Sequence, residues 1–132
     1  MPMIVYHTFQ INNFGENFKT IMLLPNAENA VVDLRKLNSY CLNTKHKTGK
    51  HKARLFLSML GMSAKDASRL QEILLAAVKS HEAKLGLCDA FKQRYTIDFV
   101  LKWKNESAVI RSSWIIEVNS QIPRLTSCYP LK

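Results

Sequence analysis

Negative charge is scarce in this chain. Ten aspartates and glutamates stand against nineteen lysines and arginines, a formal charge of +9. So basic a protein meets an anionic partner: nucleic acid, an acidic protein or a membrane surface. Glycine and proline are also few, four of each, beside 47% hydrophobic residues, which excludes a disordered or low-complexity chain. Three cysteines, Cys41, Cys88 and Cys128, are odd in number and far apart, which argues against a disulfide framework and suits a reducing compartment. Cys-x-x-Cys and His-Glu-x-x-His are missing, so no metal site has motif support. The glycine-rich nucleotide loops are missing as well, and no cofactor is expected. No apolar run approaches the ~18 residues of a membrane span. Met1 to His7 shows no basic n-region and no long apolar stretch, so export is not expected and the cytoplasm is.

What the chain does have is a concentrated basic stretch. Thr44 to Arg54 holds Lys45, Lys47, Lys50, Lys52 and Arg54 with His46 and His51, and no acid interrupts it. It runs directly into Leu55-Phe56-Leu57-Ser58-Met59-Leu60-Gly61. Ala53, Phe56, Leu57 and Leu60 recur at i, i+3, i+4 and i+7, which predicts a helix over Lys50–Leu60 with Gly61 as its left-handed cap. At ~100° per residue the apolar arc runs from Leu55 round to Leu57, and Lys52 falls inside it. His51 points the other way. A lysine on an inward face either snorkels its ammonium to water or holds it in a cleft for an anion. His46, one loop earlier, is a candidate acid, base or phosphate donor.

The remaining pattern is α+β, with helices in the N-terminal half and strands in the C-terminal half. Strands are expected over residues 3–11 and 18–24, a turn at Asn12–Gly15, and either a third strand or merely extended chain at Ala30–Val32. Asp33 reads as the N-cap of a helix to about Leu42. Ser63-x-x-Asp66 opens a helix running to about His81. From Lys84 the period changes to two, with strands around Tyr95–Leu101, Ala108–Val118 and Leu125–Tyr129 and turns at 104–107 and 119–123. Trp114 reads first as core. Ser112 shares its strand face, while Arg111 and Ser113 face the other side. Thr126 and Tyr129 suit a strand without further explanation.

Four segments carry a resemblance. They are Lys36-Leu37-x-x-Tyr40-x-Leu42-Asn43, His46-x-x-Gly49-x-x-Lys52-Ala53-x-x-Phe56, Arg111-Ser112-x-Trp114-Ile115-Ile116 and Pro123-Arg124-Leu125-Thr126-x-Cys128-Tyr129. Together they resemble a family of small bacterial proteins of unknown function, often encoded in toxin–antitoxin-like gene pairs. That family in turn is similar to the barnase/EndoU/colicin/RelE superfold of metal-independent ribonucleases. The likeness spans residues 22–130. It implies a single domain, 1–132, with residues 1–21 as a β extension and 22–132 as a ribonuclease-toxin-like core. It implies helices packed on a twisted antiparallel sheet, with His46, Lys52 and Ser112 as catalytic residues. Lys45, Lys47, Lys50, Arg54, Arg111, Trp114 and Thr126 would then bind RNA, with Trp114 stacking an unpaired base.

The chemistry has a clear demand. RNA supplies its own nucleophile, the 2′-OH, so cleavage needs proton transfer and cationic stabilisation of the phosphate and no metal. The expected function is a metal-independent endoribonuclease toxin that acts on tRNA or mRNA and is neutralised by a small acidic antitoxin, with no membrane partner. A non-catalytic nucleic-acid-binding module is the alternative, because charge alone supports both.

Overall fold

A computed structural model of the chain describes residues 5–10 and 18–132. Strand β1 (Val5–Gln10) pairs antiparallel with β2 (Phe18–Leu23) in a two-stranded sheet. The expected turn at Asn12–Gly15 lies outside the described residues. Of the two readings of Ala30–Val32, strand or extended chain, the structure takes the second, with a single parallel bridge between Val31 and Arg124.

Helix α1 (Leu34–Lys36) begins where Asp33 accepts a hydrogen bond from the Arg35 N–H at 2.9 Å, the expected cap. It continues as a wider π turn over Leu37–Cys41, which buries Leu37 and Cys41. Helix α2 (Lys50–Leu60) ends at Gly61, whose φ of 67° only glycine adopts without strain. The N–H groups of Gly61 and Met62 return to the carbonyls of Leu57 and Phe56. Leu57 itself is exposed, so the buried face of α2 is narrower than the spacing suggests: Ala53, Phe56 and Leu60. After a short turn, in which the Ser63 N–H donates to Asp66 at 3.0 Å, helix α3 (Ala67–Ala77) buries Leu70 and Leu74. It stops at Ala77, about a turn before the expected end near His81.

Four strands follow in a plain meander: β3 (Ala83–Cys88), β4 (Lys92–Trp103), β5 (Glu106–Glu117) and β6 (Arg124–Pro130). Each pairs antiparallel with the next, in the order β3-β4-β5-β6. The fold is α+β, with helices in the N-terminal half and a four-stranded antiparallel sheet at the C-terminus. Strand β3 is an addition to the sequence reading, which noticed a change of period at Lys84 but named no strand there. The β4–β5 turn is tighter than expected, because Trp103 pairs directly with Glu106 and leaves only Lys104 and Asn105 between them.

Alternation along β4 and β5 sorts the sheet into two faces. Tyr95, Ile97, Phe99 and Leu101, with Ala108, Ile110, Ser112, Trp114 and Ile116, are buried towards the helices. Arg94, Thr96, Asp98 and Val100, with Val109, Arg111 and Ser113, occupy the outer face. Helix α2 packs on β5 and β6, which brings the basic stretch to the β6 edge.

Candidate functional site at the β6 edge

The basic stretch is a tightly built loop. Asn43 anchors its start: its Oδ1 accepts the Lys45 N–H at 3.0 Å and its Nδ2 donates to the Ser39 carbonyl at 3.1 Å. His46 then acts as the staple. Its Nδ1 accepts the Thr48 N–H at 3.1 Å and the Gly49 N–H at 2.9 Å. Two donors on Nδ1 assign the neutral ring its proton at Nε2. The ring stands edge-on to Tyr40 with centroids 4.8 Å apart. Tyr40 in turn carries Lys36 Nζ 5.4 Å above its own centroid. Gly49 is a contact requirement: a Cβ there would lie 3.0 Å from both the ring and the carbonyl of Tyr40. The segments Lys36 to Asn43 and His46 to Phe56 thus fold into one unit that aims the loop lysines outward. Lys45, Lys47 and Arg54 are exposed, and Lys50 is half-buried.

Lys52 is the cation that does not follow them. Half-buried in the first turn of α2, it places Nζ 4.6 Å from the centroid of the Tyr129 ring on β6. That distance is a cation–π contact. Among the described residues no acid pairs with Lys52. Tyr129 is the cross-strand partner of Arg111. Arg111 grips Asp98 on β4 in a fork, Nε to Oδ1 at 2.9 Å and Nη2 to Oδ2 at 2.8 Å. That fork holds the Asp98 carboxyl below its ordinary range and pushes the Arg111 guanidinium higher still. The resulting row, Lys52, Tyr129, Arg111 and Asp98, runs from the helix layer across the β6 edge onto the outer face of the sheet.

Two further groups belong to this corner. Ser127, opposite Ser113 and two residues before Tyr129, lies on the same face, and its buried hydroxyl has no hydrogen-bond partner among the described residues. Beneath Lys52, the buried thiols of Cys41 and Cys128 face each other unoxidised. The Cys41 thiol and full burial push Cys128 well above the ordinary thiol range.

Three expected site residues, Ser112, Trp114 and Thr126, are used otherwise. Ser112 and Trp114 are both fully buried. Trp114 Nε1 donates to Ser112 Oγ at 2.9 Å, and Ser112 Oγ donates to the Ile97 carbonyl at 2.7 Å. The relay satisfies both polar groups inside the core, so Trp114 offers no face to a base and Ser112 no hydroxyl to a phosphate. Trp114 is a core residue, the first of its two sequence readings. Thr126 occupies a bulge in β6, where its hydroxyl donates to the Ser113 carbonyl at 3.1 Å. Arg111 is on the open face, but its charge is largely answered by Asp98. His46 keeps its place beside the basic loop with Nδ1 already occupied, so only Nε2–H is available to a ligand.

Tyr129, Asp98 and Ser127 were not singled out from the sequence. Their signal was the strand parity itself: once Arg111 is placed outward, its cross-strand neighbours follow. The bulge at Thr126 hid that parity for β6.

Among the described residues no group of three or more histidines, cysteines or acids gathers as metal ligands. Among the described residues no helix is long and apolar enough to cross a membrane. No curated protein and no solved structure matches the chain significantly. A family model, the domain of unknown function DUF6883, matches residues 23–132, and the chain belongs to that family.

Proposed function

We propose that this protein binds RNA along the Lys45–Arg54 stretch and cleaves it, without a metal, at the Lys52–Tyr129–Arg111 row. The observation that carries the reading is Lys52 itself. It is the one cation of the stretch that folds back onto the sheet edge, next to a phenol and a guanidinium, with no carboxylate of its own. Lysines at the loop rim draw in the phosphate backbone. At the edge, Lys52 stabilises charge on the pentacovalent phosphate, and Arg111, fixed by Asp98, adds a second cation. The Tyr129 hydroxyl and the Nε2–H of His46 are the groups able to donate to phosphate or leaving-group oxygens. The 2′-OH of the RNA attacks phosphorus as the P–O5′ bond breaks, its proton passes to water and the 5′-oxygen takes one from water, so the products are a 2′,3′-cyclic phosphate and a 5′-hydroxyl. Such an activity inside its own cell calls for neutralisation, and a +9 protein fits a small acidic partner.

A second reading, a non-catalytic RNA-binding module, is favoured by a different observation. His46 Nδ1 is held by two backbone N–H groups, and Ser112 and Trp114 are sealed in the core. One experiment separates the two: incubation with RNA in EDTA, followed by end-group analysis. Cleavage leaving cyclic phosphate supports the enzyme. Retention of intact RNA with a steep salt dependence of binding supports the module.

A further inference from the structure

A cavity of about 310 Å³ opens at the end of β6 away from Tyr129. Val31, Ile122 and Leu125 form its apolar wall, and Asp33, Lys36, Ser120 and Arg124 its polar rim. These residues come from three segments that hydrogen bonds fix to one another. The Val31 N–H donates to the Pro123 carbonyl at 2.9 Å, and the Leu125 N–H donates to the Val31 carbonyl at 3.0 Å. Asn26 Nδ2 donates to the Gln121 carbonyl at 2.8 Å, and Ser120 Oγ accepts the Ile122 N–H at 3.1 Å. The walls are therefore set before a ligand arrives, which lowers the ordering cost of binding. An apolar wall with a few placed polar groups is the make-up of a small-ligand site.

The rim has unused capacity. Lys36 is half-buried, and among the described residues no acid pairs with it. Arg124 meets Glu117 only at 3.6 Å, with both side chains more than half exposed. Asp33 Oδ1 accepts the Arg35 N–H at 2.9 Å, while Oδ2 meets only the exposed Arg35 guanidinium at 3.5 Å and can accept further bonds. Lys36 also ties the cavity to the basic stretch. Its Nζ stands 5.4 Å above the Tyr40 centroid, and Tyr40 meets the His46 ring at 4.8 Å. RNA lying on Lys45–Arg54 needs only to cross Tyr40 to reach it.

We infer that this cavity is a base-reading subsite for one nucleotide of the bound RNA. Val31, Ile122 and Leu125 take the face of the base, Lys36 and Arg124 its phosphate, and Asp33 Oδ2 accepts from an exocyclic amino group. A bare phosphate would leave the apolar wall unused, and an uncharged ligand would leave Lys36 unanswered. An ionised carboxylate only accepts hydrogen bonds, so cytosine is favoured over uracil, which has the same shape and a carbonyl in place of the amino group. The inference rests on the RNA reading and adds a sequence preference to it.

The test titrates the full chain with single-stranded octamers of cytidine and of uridine, both with 2′-O-methyl riboses so that neither can be cleaved. Cytidine 5′-monophosphate is the free-nucleotide control. The unmodified protein should bind the cytidine octamer about tenfold more tightly than the uridine octamer, the worth of one hydrogen bond to a charged group. Asp33→Asn keeps the cap of α1, because asparagine caps as well as aspartate. Its amide can donate to uracil as well as accept from cytosine, so the two octamers should bind equally. Ile122→Trp fills the cavity from an exposed position without changing charge, and should remove the preference by weakening the cytidine octamer. Octamers that bind the unmodified protein equally, or a preference that survives both variants, overturn the inference and leave the RNA reading standing. Binding of the monophosphate that Ile122→Trp abolishes, beside octamers bound without preference, reassigns the cavity to a free nucleotide and overturns it too. Failure of both octamers to bind overturns the RNA reading and this inference together.

Discussion

Lys52 Nζ lies 4.6 Å from the centroid of the Tyr129 ring, and this contact joins the basic stretch to the open face of the sheet. It also explains why a lysine occupies the first turn of α2, where the helix dipole disfavours it. The methylenes run along the core boundary and the ammonium leaves the dipole for the aromatic face.

The relay from Trp114 through Ser112 to Ile97 is structural, and its loss should appear as stability. Ser112→Ala leaves the indole N–H and the Ile97 carbonyl without their side-chain partner, at a cost of about 1–3 kcal/mol. Trp114→Ala should cost about 3–5 kcal/mol. Urea titration of each variant checks both values. RNA affinity of the folded fraction of Ser112→Ala should match the unmodified protein.

Gly49 and His46 shape the loop from opposite sides. Gly49→Ala places a methyl 3.0 Å from Tyr40 and should cost about 1–3 kcal/mol by overpacking. His46→Ala frees the N–H groups of Thr48 and Gly49 and should speed amide exchange across Lys45–Lys50. Exchange rates at those amides, compared with α3 as an internal reference, measure the effect directly.

Asp98 gives the acid side of the stability profile. Its folded carboxyl titrates below the unfolded value because the Arg111 fork favours the charged form. A depressed carboxyl contributes stability that is fully present above the unfolded pKa of about 3.9 and disappears as pH falls through the lower folded value. Both side chains are partly exposed, so Asp98→Asn should cost only about 0.5–1 kcal/mol at pH 7. That difference should shrink as pH falls below the unfolded value and vanish once pH is under the lower folded value, where the carboxyl is neutral in both states. Thermal melts across pH 2 to 7 test the sign: a variant penalty that grows in acid contradicts it.

The loop lysines should count as phosphate contacts. Reversing Lys45, Lys47 and Lys50 together should weaken RNA binding and reduce the log–log salt slope by about 2, given about 0.7 per single-strand phosphate. An unchanged slope would remove the stretch from the interface.

Much of the fold was legible because its signals are local. Asp33, Gly61 and the Ser63–Asp66 pair mark helix ends through backbone geometry, and the β4–β5 parity follows from alternation over long strands. The site was less legible, for a physical reason. Ser112 and Trp114 show chemistry that suits RNA, yet Ser112 satisfies the indole N–H and a carbonyl inside the core, and no sequence rule separates a buried hydroxyl relay from a reactive one. Tyr129 looked ordinary because its value comes from Lys52, seventy-seven positions earlier (129 − 52). Strand β3 was obscured by its own exposure, since a strand that buries only Ala83 has no apolar face to alternate.

Single-turnover cleavage of RNA in EDTA by Lys52→Met and by its neighbour His51→Ala tests the central claim most directly. Methionine keeps the bulk of the stem and a sulfur contact with the Tyr129 ring, so the melting temperature should barely move. The account predicts a rate loss of about 10²–10³ for Lys52→Met and an unchanged rate for His51→Ala, which faces solvent. A folded Lys52→Met protein that cleaves at the full rate would contradict it, and the row at the β6 edge would lose its catalytic assignment.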